Sequence, residues 1–379
     1  MSARTRLAIA TGAAGALGAL AVATARTSRD VGTQIGGVPD GERLARMQRS
    51  AQWWDGRFHN LDRSAAAGPA ADGATARDAA RRFITDRALR EPPAEVPLRA
   101  EALHLPSRGV QFAWLGHASV LLSLDGEQVL FDPVWSERCS PSEHVGPRRM
   151  HRVPFELDEL PRLAAVVISH DHYDHLDMPT IQALSRLQDC RFVVPLGIGA
   201  HLERWGVESA RIVELDWGES TSMGSVELTA VSSQHFSGRG MRRNPTLWAS
   251  WVAASPAGSV YFSGDTGYFG GFARIGLDHG PFDAAFMAVG MYDPAWRPVH
   301  LDPEEAVRAT VELGARLAVP IHWCTFALAP HAWSEPPERF VAAAEQAAVA
   351  YVVPEVGEAV DAAVARAARP NGTRPWWRF

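Results

Sequence analysis

The sequence has few cysteines, and they lie far apart. Cys139, Cys190 and Cys324 are the only three among 379 residues. An odd, scattered set forms neither a disulfide framework nor a C-x-x-C zinc motif. Small scaffolds stapled by disulfides and cysteine-ligated zinc modules are therefore excluded, and Cys324 is interpreted as a packing residue.

An excess of positive charge is also missing. The formal net charge is −6, and no arginine-rich run of the kind that binds nucleic acid occurs. We therefore predict that nucleic acid is not a partner. A hydrophobic content of 46% with 21% charged residues is ordinary for a globular protein, and the length allows one large domain with extensions, or two domains.

Long apolar runs are absent except at the N-terminus. Arg4 and Arg6 precede an uncharged stretch over residues 7–25, which ends in the small residues Ala23-Thr24-Ala25. This layout is typical of a signal peptide or a weak membrane anchor, which we assign to residues 1–30. The protein is then exported or membrane-associated. A cytoplasmic location with a plain leader is the alternative.

Residues 31–105 are predicted to form an N-terminal extension with helices. Apolar residues recur there on one helical face, namely Leu44, Met47, Ala51 and Trp54. Residues 78–90 are a second predicted helix. The extension is either an arm packed over the edge of the main domain or a source of aromatic side chains for the entrance of an apolar substrate.

The main chemical signal is a nine-residue stretch, Ser169 to Asp177, that holds three histidines and three aspartates. It follows the apolar run 164–168, which we interpret as a buried strand. Imidazole nitrogens and carboxylate oxygens both suit zinc and similar divalent ions. The spacing allows two ions, since His170 and His172 can reach one while Asp174 and His175 face another.

Further candidate ligands follow predicted strands downstream. His235 comes after the strand 226–231, and His322 after the strand 317–321. Asp265 lies in the sequence Ser-Gly-Asp-Thr-Gly after the strand 259–262, where glycines let its carboxylate project from the strand end. One carboxylate between two cations can bridge them.

These motifs resemble those of a known family. The pattern H-x-H-x-D-H after a strand, with the S-G-D-T-G segment, is similar to the metallo-β-lactamase superfamily. The string from His170 to Asp177, with residues 114–119 and 131–136, resembles its branch of N-acyl-phosphatidylethanolamine-hydrolysing phospholipases D and, more distantly, the L-ascorbate-6-phosphate lactonases. The resemblance runs from about residue 106 to residue 355.

The resemblance implies an α/β fold, a four-layer αββα sandwich formed by residues 106–379. It implies two divalent metal ions, with zinc the expected element. The first ion would take His170, His172 and His235; the second would take Asp174, His175 and His322, with Asp265 between them. Asp174, Asp265 and His300 are the implied catalytic residues.

Three residues near these motifs allow more than one interpretation. Asp132 is either a hydrogen-bond partner of a ligand histidine or the cap of the Asp-Pro turn. His117 either stabilises its turn or hydrogen-bonds near the site. His300 either contacts a phosphate or leaving group or supports the start of the helix that Asp302 is predicted to cap.

The expected function is hydrolysis of a phosphodiester in a phospholipid of the N-acyl-phosphatidylethanolamine kind. The alternatives are a lactonase or small-ester hydrolase of the same superfamily, and a lipid-binding protein with a structural metal site. The C-terminal Trp376 and Trp377, flanked by arginines, are typical of a membrane interface. Phospholipid or another phosphodiester, with contact to a membrane surface, is the predicted partner.

Overall fold

A computed structural model describes residues 31–62, 73–101, 103, 105–106, 108–368 and 375–378. The predicted signal or anchor segment, residues 1–30, lies outside them. Within the described part of the chain, no helix combines the length and hydropathy needed to cross a bilayer.

The N-terminal extension consists of short elements that precede the main domain. They are helix α1 (Gly41–Arg49), the hairpin of β1 (Trp53–Trp54) and β2 (Arg57–Phe58), and helices α2 (Gly73–Thr85) and α3 (Arg87–Arg90). Met47 of α1 is only 1% exposed and packs in a cluster with Phe58, Leu247 and Trp248. The extension is therefore an arm packed on the domain, as one of the two interpretations had it.

The first sheet has seven strands and mixes parallel and antiparallel pairs. Its members are β3 (Val110–Gly116), β4 (Ser119–Leu124), β5 (Glu127–Phe131), β6 (Ala165–Val167), β7 (Arg191–Pro195), β8 (Ile212–Leu215) and β15 (Ala359–Asp361). The order is β15-β3-β4-β5-β6-β7-β8. Strands β5 to β8 run parallel, which places the loops after β5, β6 and β7 at one edge of the sheet.

The second sheet has six strands and is also mixed. It contains β9 (Ser220–Met223), β10 (Val226–Val231), β11 (Ser250–Ser255), β12 (Gly258–Phe262), β13 (Ala284–Ala288) and β14 (Ala318–Ile321). The strands are ordered β14-β13-β12-β11-β10-β9. The parallel strands β12, β13 and β14 end at a common edge, and the loops after β12 and β14 carry predicted ligands.

The main core lies between the two sheets. All of β3 is buried, and its side chains alternate, because successive residues of a strand point to opposite faces. Phe112 and Trp114 face the second sheet, where Phe112 meets Phe286 with ring centroids 4.8 Å apart, whereas Ala113 and Leu115 face outward. A strand covered on both faces is expected in the inner layers of a sandwich.

Helices cover the outer face of each sheet. Helices α4 (Met178–Leu187) and α5 (Gly199–Arg204) cover the first sheet, into whose outer cluster they send Ile181, Leu184 and Leu202. Helices α6 (Gly271–His279), α7 (Pro303–Glu312) and α8 (Glu335–Gln346) pack beside the second sheet, and α9 (Ala362–Ala368) follows β15. This is the predicted αββα sandwich.

Local sequence signals predict the ends of some helices and strands better than those of others. Asp302 caps α7 as predicted, and the structure adds a capping box, since its side chain accepts from Glu305 N and the Glu305 side chain accepts from its main-chain N–H. Strand β11 begins only at Ser250, although apolar residues start at Leu247, because Leu247 and Trp248 turn into the cluster under the arm. Strands β1, β2, β9 and β15 were not predicted, and the predicted helical face that included Ala51 and Trp54 was wrong beyond Arg49, since α1 ends there and Trp54 lies in β1.

The interpretation of the C-terminal tryptophans as a membrane-interface pair was wrong. Trp376 and Trp377 are 6% and 3% exposed. Trp376 stacks on Trp323 with centroids 5.3 Å apart, and Trp323 stacks on Trp114 at 5.4 Å. The tail therefore packs into the core beside the strand that leads to His322.

Candidate metal centre

The motif loop, residues Ser169 to Asp177, follows β6 and is fixed from behind by a buried arginine. Arg239 donates to the main-chain oxygens of Asp171 at 2.9 Å and Leu176 at 2.7 Å. Its guanidinium lies 4.0 Å from the centre of the Tyr173 ring. Asp171 accepts from Gly238 N and Thr246 Oγ1, and its Oδ2 lies 3.5 Å from His201 Nε2, outside both ligand sets. These bonds hold a loop of unusual composition in one shape.

Three histidines form the first set of ligand atoms. His170 Nε2 lies 2.8 Å from His172 Nδ1, which lies 3.3 Å from His235 Nε2. His170 and His172 come from the first sheet, and His235 follows β10 of the second. The structure thus brings together the three residues predicted for the first ion.

The arm helps to place His235. Asn60 donates through Nδ2 to His235 O at 2.9 Å and accepts from His235 N at 3.0 Å. The same Asn60 oxygen accepts from Trp248 Nε1. His235 Nδ1 lies 2.9 Å from the carbonyl oxygen of Val299, which leaves Nε2 for the site. The backbone and ring of this candidate ligand are therefore both fixed.

The second set faces the first across a short gap. His175 Nε2 and His322 Nε2 lie 3.1 Å apart, and Asp174 Oδ2 is 3.6 Å and 3.4 Å from them. His117 joins this set, with Nε2 2.9 Å from the same Asp174 oxygen. The structure confirms that His117 hydrogen-bonds at the site, although it also occupies a turn with φ of 51°.

Asp265 stands between the two sets. Its Oδ1 lies 3.0 Å from His322 Nε2 and 3.4 Å from His175 Nε2. Its Oδ2 lies 3.7 Å from His235 Nε2 and 3.5 Å from His300 Nε2. One oxygen thus faces each set, which is the arrangement a bridging carboxylate requires.

Asp132 is the hydrogen-bond partner of a ligand histidine. Its Oδ2 lies 2.7 Å from His175 Nδ1, so the other ring nitrogen, Nε2, is turned into the site. Ser169 donates to both oxygens of Asp132, through N and through Oγ, each at 2.6 Å. All three side chains are buried. These contacts fix the orientation of the His175 ring, with Nε2 directed into the site.

The electrostatics of the site favour a cation. Burial disfavours ionised carboxyls, yet the neighbouring histidines hold the pKa of Asp174 and of Asp265 well below the usual value. Burial also disfavours a charged imidazole, but Asp265, Asp174 and Asp132 raise the pKa of His175 above its usual range. Asp265 Oδ1 is buried without a hydrogen-bond partner. Divalent ions fit this set of converging nitrogens and carboxylates.

Strained backbone concentrates around the centre. Non-glycine residues with φ between 39° and 67° surround it, namely His117, Asp132, Met291, His322 and Cys324. Such conformations cost of order 1–3 kcal/mol each and persist where the surrounding structure fixes them. The stacked tryptophans beside His322 and the hydrogen bonds of Asp132 supply that support.

The centre opens into a cavity of about 320 Å³. Its polar wall comes from the candidate ligands and from His300, and its apolar wall is formed by Phe236, Met291, Trp296, Val299 and Leu328. His300 follows a 3-10 helix, Pro294–Val299, and precedes the cap of α7. The interpretation in which the arm lines this entrance was wrong for its described residues, since none of them borders the cavity.

Three contributors were missed or undervalued in the sequence. The sequence left His117 open between a role in its turn and a hydrogen bond near the site, and it predicted no role at the site for Asn60 or Arg239. Each acts on a residue distant along the chain, and periodicity carries no information on such pairs. Cys324 is buried with a raised pKa, as expected of a packing thiol.

The fold and the ligand sets define a metal-dependent hydrolase of the metallo-β-lactamase type. Comparison with known proteins gives the family. The profile described as Beta-lactamase superfamily domain matches residues 127–323, and the chain belongs to this family. An uncharacterized protein of Mycobacterium tuberculosis is 46% identical over 340 residues, which cover 88% of either chain.

Two further similarities bear on the branch and the fold. The N-acyl-phosphatidylethanolamine-hydrolyzing phospholipase D 1 of Caenorhabditis elegans is 36% identical over 241 residues, 60% of this chain and 67% of that protein. The structure of Igni18, a metallo hydrolase of Ignicoccus hospitalis, superposes with a TM-score of 0.51 at 21% identity. It covers 66% of this chain and 97% of that one, and it supports the fold alone.

Proposed function

We propose that the protein is a phosphodiesterase of the phospholipase D type that uses two zinc ions and acts on lipids resembling N-acyl-phosphatidylethanolamine. The observation that carries the proposal is Asp265, whose two oxygens face two separate sets of ligand atoms. The similarity to the Caenorhabditis elegans phospholipase D supports the choice of reaction.

Residues of this chain would hold each ion. His170, His172 and His235 would bind the first, and His175, His322 and Asp174 the second. Divalent ions held there would polarise a phosphoryl oxygen and make a water nucleophile available near neutral pH. Two such ions outweigh the charge of the two carboxylates, so the centre attracts an anion such as a phosphodiester.

The side chains around the ligands then have separate tasks. His117 holds Asp174 through the contact at 2.9 Å, and Asp132 holds His175. His300 borders the cavity next to Asp265, where its ring can contact a phosphate oxygen or donate a proton to the leaving group. We assign Asp174, Asp265 and His300 to catalysis on this basis.

The cavity suits a substrate with a polar reacting group beside an apolar part. Five apolar side chains stand beside the histidines and aspartates. A volume of about 320 Å³ accommodates a phosphodiester with the first part of its substituents, not complete acyl chains. The chains of a lipid would therefore remain outside, against other protein surface or in a bilayer.

Metal content tests the first part of the proposal. The full chain, purified after growth with zinc, should carry two ions per molecule by elemental analysis. Less than one bound ion would contradict it. An Asp265→Ala variant provides a matched measurement, because loss of a bridging carboxylate should reduce the content while the far-ultraviolet circular dichroism stays unchanged.

Turnover tests the reaction and the substrate. The zinc-loaded protein should release phosphatidic acid from N-acyl-phosphatidylethanolamine, and the Asp265→Ala variant should not. Faster turnover of lactones or small esters than of any phosphodiester would instead assign a small-ester hydrolase. Binding of lipid without any turnover, with both ions present, would leave only a lipid-binding protein with a structural metal site.

A further inference from the structure

A second cavity among the described residues lies apart from the ligand sets. It measures about 1080 Å³, against about 320 Å³ at the metal centre. One side is formed by helices α2 and α3 of the arm with the residues just after them, and the other by residues 138–150. We call it the arginine cavity after its lining arginines: Arg87, Arg90, Arg138, Arg148 and Arg149.

Acidic side chains do not balance these cations. Glu91 is the one acidic residue in the lining, and it lies 3.7 Å from Arg87. Arg148 pairs with Glu137 outside the lining. The chain contains no lysine, so all 37 of its basic residues other than histidine are arginines. Arginine presents a planar fork of N–H donors that matches phosphate, which makes a cluster of this kind an anion site.

A buried arginine with an unused donor lies in the cavity wall. Arg90 is 7% exposed, and its Nε is buried without a hydrogen-bond partner. Its guanidinium lies 3.8 Å above the Phe83 ring and donates to the Phe83 carbonyl at 2.6 Å. A buried charged donor without a partner is unfavourable, so an acceptor supplied by a ligand would relieve it.

The same cavity offers apolar surface beside the arginines. Phe83, Ile84, Pro92 and Met150 belong to its lining, and Ile84 is 77% exposed. Inorganic phosphate would leave this surface uncovered. A ligand with an anionic head and an apolar tail would cover both parts.

We propose that the arginine cavity binds the phosphate group of an anionic amphiphile, with the tail against Phe83, Ile84 and Met150. The inference does not depend on the reaction proposed for the metal centre. It assigns a second site that shares one aromatic neighbour with the metal centre: Phe326 lies 5.1 Å from the Arg149 guanidinium and 5.3 Å, centre to centre, from the His117 ring.

Calorimetric titration of the zinc-loaded full chain tests the proposal. The probes are dihexanoyl phosphatidic acid below its micellar concentration, inorganic phosphate, and dihexanoyl phosphatidylcholine as a zwitterionic control. The proposed metal centre would also bind phosphates, so the number of sites lost in the variant is the readout. We expect two sites for the phosphatidic acid in the native chain and one in a variant with Arg87→Gln and Arg138→Gln.

The variants separate binding from folding. Arg87 is 77% exposed, so its replacement spares the core, unlike that of the buried Arg90. Arg274→Gln is the matched control, since Arg274 is 76% exposed and pairs with Asp278 at the same helical spacing as Arg87 with Glu91. The control should keep both sites. Each lost arginine should weaken the second site roughly tenfold or more.

Other outcomes overturn the proposal. If every site found in the native chain, whether one or two, is left unchanged by the Arg87 and Arg138 replacements, the arginine cavity is refuted as an anion site. If the Arg274→Gln control loses the second site to the same extent, the location of that site in the arginine cavity is refuted. Equal affinity for inorganic phosphate and for the phosphatidic acid refutes the amphiphile and assigns the cavity to free phosphate.

Discussion

Replacing Asp132 by asparagine should weaken metal binding without unfolding the protein. The substitution keeps the shape of a fully buried side chain that touches no candidate metal position itself. Asp132 accepts from Ser169 N and Ser169 Oγ at 2.6 Å, and lies 2.7 Å from His175 Nδ1. An amide has one acceptor oxygen where the carboxylate has two, so its NH2 group must oppose the N–H of either Ser169 or His175.

The expected loss of metal affinity follows from that mismatch in hydrogen bonding. A buried donor left without its acceptor costs about 1–3 kcal/mol, and the ring of His175 also loses the contact that turns Nε2 into the site. Since each 1.4 kcal/mol is a factor of ten, the dissociation constant of the second ion should rise roughly 10- to 100-fold. Partners of ligand histidines typically have effects of this size.

The assay is competition for zinc against a chromophoric chelator, with melting temperatures recorded beside it. Asp293→Asn is the matched control, because Asp293 is 3% exposed and accepts from Ala295 N and Arg82, away from both ligand sets. It should lower the melting temperature and leave zinc affinity within about twofold. If Asp132→Asn shows the same pattern as the control, the carboxylate does not act through His175.

Three further changes have expected results. Asp265→Ala should abolish turnover more completely than His300→Ala, since only Asp265 faces both ligand sets. The His300→Ala variant should keep some activity, reduced roughly 10²- to 10⁴-fold. Equal residual rates in the two variants would contradict this ranking. Asn60→Ala should lower zinc content and activity through His235, measured by elemental analysis and initial rates; an unaltered zinc content would exclude the arm from the centre. Asp302→Ala should lower the free energy of unfolding by about 1 kcal/mol in urea and leave zinc content unchanged, because it removes the cap of α7 and two long ion pairs, at 3.8 Å to Arg297 and 3.9 Å to Arg339.

Sequence reasoning reached the candidate ligands because each follows a strand. The loop after β6 and the single residues after β10, β12 and β14 all lie where strand ends meet. Asp265 was recognisable through its glycines, of which Gly264 has φ of 53° and so needs the freedom of glycine. The resemblance to the family then sorted the candidate ligands into two sets, and the structure brings the same residues together, with His117 added to the second set.

Contacts across long stretches of chain were beyond such reasoning. Asn60 reaches His235 from 175 residues away, and the pairing of His117 with Asp174 spans 57 residues. The direction in which a turn side chain points depends on packing that local patterns do not encode. The prediction for the tryptophans near the C-terminus was wrong for another reason.

Trp376 and Trp377 suit two environments equally well. A tryptophan has a large apolar body and one N–H donor, so it fits a membrane interface or a core that offers an acceptor. Here Trp376 donates to Val353 O at 3.1 Å and Trp377 to Glu338 Oε1 at 2.7 Å. These acceptors favour the buried position of both tryptophans. They lie in segments whose contact with the C-terminal residues cannot be predicted from local sequence.

The candidate ligands come from both sheets, so the complete metal centre can form only after the two sheets have docked. Before the sheets dock, a nascent chain has only the histidines and aspartates of the motif loop close together, whereas His235, Asp265 and His322 are still distant. Metal that arrives early would meet an incomplete and differently shaped set of donors, because unfolded chains also bind ions through histidine. A complete set of donors for two ions would therefore exist only after the two halves of the sandwich have closed, and the timing of ion supply during synthesis would bear on how the centre is loaded.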